Sequence, residues 1–145
     1  MEWLKVAVDY GIIGVLIILS IIAVAIAIEK YLVYRRIDLD EYADRTALEM
    51  TLTGKLYVIA TIGSNAPYIG LLGTVLGIMF TFYTVGNEGY MDPGRIMVGL
   101  ALALKATAIG LLVAIPSVTL NNFLLRKARV LMMQWETKNG RQGIR

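Results

Sequence analysis

Residues 99–122 read GLALALKATAIGLLVAIPSVTLNN, and they lead into the reading of the whole chain. From 106 to 125 there are twenty consecutive uncharged residues, enough at ~1.5 Å per residue to cross a hydrocarbon core of roughly 30 Å. At ~100° per residue, Thr107, Gly110, Ala114, Ser117 and Asn121 fall within about an 80° arc. Lipid does not reward a stripe of small and polar side chains, so this face belongs against another helix or a water-filled path. Lys105, just upstream, is the only charge inside any apolar segment.

Working outward, residues 56–87 form a second uncharged run of thirty-two, longer than one span needs, so its helix tilts or protrudes. Gly63, Gly70, Gly73, Thr74, Gly77, Thr81 and Thr84 share an arc of about 100° on it. Gly73 and Gly77 make a GxxxG pair, weak evidence alone but stronger as part of so long a face. Pro67 in this helix and Pro116 in the next each delete a backbone donor and are expected to kink them. The turn between the runs, NEGYMDPGR at 87–95, is short enough to force the two helices to be antiparallel neighbours.

Nineteen uncharged residues at 10–28, mostly branched aliphatics and Ala, make the first span. A signal peptide is the competing reading, since Ala25 and Ala27 resemble a cleavage site, but Glu2 and Asp9 leave no positive n-region. The linker 29–55 interleaves acids and bases. Asp38 and Glu41 suggest a capping box, with Leu39, Ala43, Ala47 and Met50 recurring at helical spacing. Its two readings are a docking helix and a solvated connector, and the connector is favoured. The tail carries Arg126, Lys127, Arg129, Lys138, Arg141 and Arg145 against one acid, Glu136, and Leu131 and Trp135 are expected to extend the third helix. The positive-inside rule then puts the N-terminus outside and the C-terminus in the cytoplasm.

The fold expected is an all-α membrane protein in a single membrane domain, 1–145, with three transmembrane helices at about 10–28, 62–86 and 97–122. The linker 29–55 and tail 126–145 are cytoplasmic, the N-terminus periplasmic, and helices two and three extend into the cytoplasm. Hydrophobic residues make up 57% of the 145 and charged ones 17%, which agrees with a membrane protein. With no Cys and no His, thiol nucleophiles, disulfides and the usual soft-metal ligand sets are excluded. No catalytic residue, metal or cofactor is expected, and a net charge of +3 gives no reason to invoke nucleic acid.

The segments IGSNAPYIGLLGTVLGIM at 62–79 and ATAIGLLVAIPS at 106–117 resemble the ExbB/TolQ/MotA family of proton-driven motor subunits. The first carries the family's Gly-rich pattern and the second its Ala-Thr-Ala-Ile-Gly and Ala-Ile-Pro pattern, each intact, and three spans are most like a short ExbB. The resemblance implies a homopentamer around a central pore, with the two small faces turned inward to sister copies. It also implies an ExbD- or TolR-like single-span partner supplying a membrane Asp, and a TonB- or TolA-like protein beyond it. The function implied is an inner-membrane, multi-pass subunit that energises TonB-dependent outer-membrane transport. The alternatives are a TolQ-like subunit of the Tol-Pal envelope system and a self-contained small solute channel, which would need a titratable group of its own.

Family members usually carry Glu five residues before the Thr of Ala-Thr-Ala-Ile-Gly, where this chain has Leu102; Lys105 replaces their Leu, and the first linker is shorter. Between Glu88 and Glu136 the only acid is Asp92, in the turn. The protonatable carboxylate is therefore expected from the partner. Thr74 and Thr107, with Thr81 and Ser117, would line the proton pathway, and Gly70, Gly73, Gly77 and Gly110 would pack the helices. Each Thr has an alternative in a bond to its i−4 carbonyl. Lys105, costing on the order of 3 kcal/mol if charged near a helix centre, either snorkels to water or pairs with the partner's acid.

Overall fold

The computed structural model describes residues 2–90 and 92–142. Arg145, counted among the tail's bases, and the side chain of Arg141 lie outside what is described. The described residues form four α-helices: α1 (Glu2–Arg36), α2 (Arg45–Thr53), α3 (Leu56–Glu88) and α4 (Pro93–Gln142), with a single 3-10 turn at Leu39–Glu41. Three of them, α1, α3 and α4, are long and apolar enough to cross a membrane. Their outward side chains, among them Ile18, Ile21, Leu72 and Leu112, are exposed aliphatics, as lipid-facing positions are.

α3 and α4 form an antiparallel hairpin. Gly89 closes α3 in the left-handed conformation (φ +65°), where a side chain would be strained. Asp92 opens α4: its Oδ1 accepts from the Gly94 N–H at 3.0 Å and its carbonyl from the Ile96 N–H at 3.2 Å, with Pro93 at the first helical position. Glu88 and Arg95 form an ion pair across this turn. α3 runs on through Pro67 and α4 through Pro116 with no interruption of either helix.

The linker departs from expectation in start point and in face. Asp38 accepts from the Asp40 N–H (3.0 Å) and supports only the 3-10 turn; the chain is then extended at Tyr42 and Asp44. Asp44 is the effective N-cap, accepting from the Thr46 N–H at 3.2 Å. That start rotates α2 so that Leu48 and Leu52, both 0% exposed, face the core, while Ala43, Ala47 and Met50 stay outside. Two leucines bury far more apolar area than the alternative face offers. The linker is thus docked and is not a solvated connector.

α1 holds α2 in place from one side. Lys30 Nζ donates to the Thr51 carbonyl at 2.9 Å and the Tyr34 hydroxyl donates to the Leu52 carbonyl. These are last-turn carbonyls with no partner inside a nine-residue helix. From the other side, Trp135 Nε1 on α4 donates to the Tyr42 carbonyl at 2.9 Å, and ion pairs join Arg45 to Glu136 and Lys138 to Asp40. α4 thus extends through Leu131 and Trp135, the latter buried. The core is continuous from Leu16 to this end, where its large side chains gather: Leu48, Leu52, Leu56, Ile59, Leu124 and Trp135.

Candidate functional site: the α3–α4 seam

The small faces of α3 and α4 meet each other within the one chain, where they were expected to face sister copies. Successive contacts descend α4 as they climb α3: Gly63 against Ser117 and Val118, Gly70 against Ala106, Thr107 and Gly110, Gly77 against Ala103, and Gly99 against Thr81. The reason is steric. A Cβ at Gly70 would stand 2.8 Å from the Ala106 carbonyl oxygen, and one at Gly110 2.7 Å from that of Ala66, both backbone atoms that cannot swing aside. Gly73 adds the third helix, with the place of its Cβ 2.6 Å from Ala106 Cβ and 3.2 Å from Ile12 of α1. With lipid as solvent, close approach of this kind is what holds a helix pair together.

Beside the Gly70–Gly110 contact two hydroxyls face each other. Thr74 Oγ1 lies 2.5 Å from Thr107 Oγ1 and 3.1 Å from the Ala103 carbonyl; both hydroxyls also lie 3.4 Å from the Gly70 carbonyl. The assignment using the shorter distances has Thr74 donating to Ala103 and Thr107 donating to Thr74. Thr107 Oγ1 then keeps its lone pairs free. Thr74 is buried and Thr107 half-buried, so the free acceptor sits at the edge of the seam.

Thr81 and Ser117 are buried on the same seam but are not brought to that pair. Each donates to its own i−4 carbonyl, Gly77 at 2.9 Å and Val113 at 2.7 Å. One turn beyond Ser117, the Asn121 Oδ1 is buried with no hydrogen-bond partner among the described residues. Lys105 is exposed, away from the seam. That agrees with the ~160° separating it from Thr107 on a helical wheel.

Two features were missed from the sequence. The α4 face begins earlier than Thr107, at Gly99, Ala103 and Ala106, and its signal was present as small residues recurring every three or four positions. At the turn end, a cavity of about 220 Å³ brings Glu2 and Lys5 of α1 beside Thr81, Thr84, Arg95 and Leu102. No spacing within one segment predicts that meeting. Among the described residues no group of carboxylates has metal-binding geometry.

Comparison with known proteins places the chain in a family. The profile of the MotA/TolQ/ExbB proton channel family matches residues 26–137. The biopolymer transport protein ExbB of Aquifex aeolicus is 54% identical over 140 residues, 97% of this chain and 95% of that protein. The putative biopolymer transport protein ExbB-like 2 of Helicobacter pylori is 54% identical over 133 residues, 92% and 89% of the two chains. ExbB of Neisseria gonorrhoeae is 38% identical over 120 residues, covering 72% of this chain and 54% of that protein. On this footing the chain, a membrane protein of three apolar helices, belongs to the MotA/TolQ/ExbB proton channel family.

Proposed function

We propose that this protein is the ExbB-like subunit of an inner-membrane proton-driven motor that energises TonB-dependent outer-membrane transport. The observation that carries the reading is the Thr74–Thr107 pair, whose free acceptor sits at the edge of a seam with no acid of its own. A hydroxyl oxygen already committed as donor accepts a hydrogen bond from a protonated carboxylic acid or from water, and it releases that bond when the acid ionises. The acid comes from an ExbD- or TolR-like single-span partner, held by a homopentamer of this chain; a TonB- or TolA-like protein takes up the motion. High identity to proteins named ExbB over nearly the whole chain supports the ExbB role above the TolQ one.

The spans are 10–28, 62–86 and 97–122, with the N-terminus periplasmic. The linker and tail lie in the cytoplasm, where Lys30, Arg35, Arg36, Arg126, Lys127 and Arg129 collect. Thr81, Ser117 and Asn121, whose Oδ1 has no partner among the described residues, continue a polar line along the seam on either side of the threonine pair. Gly70, Gly73, Gly77 and Gly110 keep the two walls close, and Pro67 and Pro116 give α3 and α4 their points of bending. Lys105, exposed and outside the seam, either snorkels to water or pairs with the partner's acid, and its variant decides between the two.

The test is proton-dependent uptake by a strain carrying Thr74→Val and Thr107→Val, with the complex weighed by native mass spectrometry after co-expression with a one-span partner. Expected are a mass of five copies plus two partner chains and loss of uptake with assembly intact. A stable monomer, or full uptake by the double variant, would overturn the reading. Lys105→Met that keeps both assembly and uptake would assign that side chain to snorkelling.

A further inference from the structure

Two clefts between α1 and α4 at the linker end meet at Phe123. One, about 390 Å³, is lined by Tyr34, Phe123, Arg126, Lys127, Val130 and Leu131. The other, about 180 Å³, is lined by Val24, Ala27, Ile28, Tyr31, Leu120 and Phe123, apolar except for the Tyr31 hydroxyl. The uncharged run of α4 stops one residue before Arg126, so the first cleft lies at headgroup depth and the second among acyl chains.

Cations gather at the upper cleft. Lys127 Nζ is 4.5 Å from the ring centroid of Tyr31 and 5.1 Å from that of Phe123, and the Arg35 guanidinium is 5.9 Å from Tyr31. The rings hold the Lys127 ammonium in place by cation–π attraction and leave its charge uncompensated by any carboxylate among the described residues. Among the described residues the cations engaged in ion pairs are Arg45, Lys55, Arg95 and Lys138, so Arg35, Arg126 and Lys127 belong to no such pair.

A site with fixed cations above and an alkyl-lined groove directly below matches one kind of molecule, an anion carrying a long chain. We propose that this composite cleft binds an anionic phospholipid of the adjacent leaflet, its phosphate on Lys127 and Arg126 and one acyl chain in the groove between Val24 and Leu120. Free phosphate leaves the lower cleft unfilled. A zwitterionic lipid brings its own ammonium against three cations. Basic pockets between membrane helices at the headgroup level recognise anionic lipid in this way. The proposal does not depend on proton transport, since the cleft lies on the α1 side of α4 and outside the seam.

The test is reconstitution in nanodiscs of equimolar phosphatidylglycerol and phosphatidylcholine, followed by native mass spectrometry of the lipid retained. The wild-type chain is expected to keep phosphatidylglycerol preferentially. Arg126→Gln with Lys127→Met should lower that preference about 30-fold, since each basic residue near the surface contributes roughly fivefold. Val24→Trp, which fills the acyl groove from its exposed wall, should reduce retention of both lipids, whereas Lys138→Met, a charge lost at the same end but outside the cleft, should leave the preference unchanged. Equal retention of the two lipids by wild type, an unaltered preference in the double variant, or displacement by millimolar inorganic phosphate would overturn the proposal. So would disulfide cross-linking of Phe123→Cys between copies with no lipid retained, which would mean that a sister copy covers the cleft.

Discussion

The α3–α4 seam and the core at the linker end hold the same helices together by different physics. Along the seam the contacts are glycine to backbone and hydroxyl to hydroxyl, and almost no large side chain is involved. At the linker end Leu48, Leu52 and Ile59 are 0% exposed and Trp135 is buried beneath the docked linker. In lipid, burying an aliphatic side chain between helices gains little, because the tails outside are equally apolar, so shape and close approach carry the association. On the proposed spans the linker end lies outside the hydrocarbon, where water again makes burial of leucine favourable and a core of large side chains becomes the better solution. The seam should therefore be broken by filling it, and the core at the linker end by emptying it.

The largest effect is expected from filling the seam. Gly110→Leu puts a branched side chain where even a Cβ would stand 2.7 Å from the Ala66 carbonyl, and the hairpin should fail to form. Loss of protease-resistant protein in membranes checks this, and wild-type yield and resistance would mean that the seam is looser than described. Next comes emptying the core at the other end: Leu52→Ala should destabilise the protein by about 2–5 kcal/mol, read from unfolding in detergent. A smaller loss, about 1 kcal/mol, is expected for Trp135→Phe, which keeps the ring but abandons the Tyr42 carbonyl. The linker should then become the first segment to exchange its amide hydrogens.

Thr74→Val with Thr107→Val sharpens the contrast between stability and function. Interhelical hydrogen bonds in membranes average about 0.6 kcal/mol, so melting should barely move while, on the proposed reading, proton-dependent uptake is lost. The smallest effect belongs to Lys55→Gln. Its pair with Glu29 at 3.1 Å is exposed on both sides, and no more than about 1 kcal/mol should be lost, all of it screened by salt. A larger change would mean that the pair is less screened than its exposure implies.

Much of this was legible in the linear pattern, for identifiable reasons. An uncharged run of helical length has few alternatives to a membrane helix, because every backbone polar group must be satisfied internally. The periodic placement of Gly70, Gly73, Gly77 and Gly110 announced faces built for contact. The linker was harder to read. Asp38 and Asp44 are both competent caps, and the choice between them was made by Leu48 and Leu52 finding a core that α1 and α4 complete. The meeting of Glu2 and Lys5 with Thr81 and Leu102 joins the two ends of the sequence-distant helices and left no trace in either.

By itself the sequence determined the three apolar helices, the sharp turn between the second and third, and which of their faces are small, since each follows from composition and period within one segment. Only the tertiary structure decided that the two small faces close on each other within one chain, that Thr74 and Thr107 share a hydrogen bond while Thr81 and Ser117 bond locally, and that the linker docks by Leu48 and Leu52. Those outcomes depend on which surfaces come within van der Waals reach of one another, a property of the packed molecule that no single helix's periodicity contains.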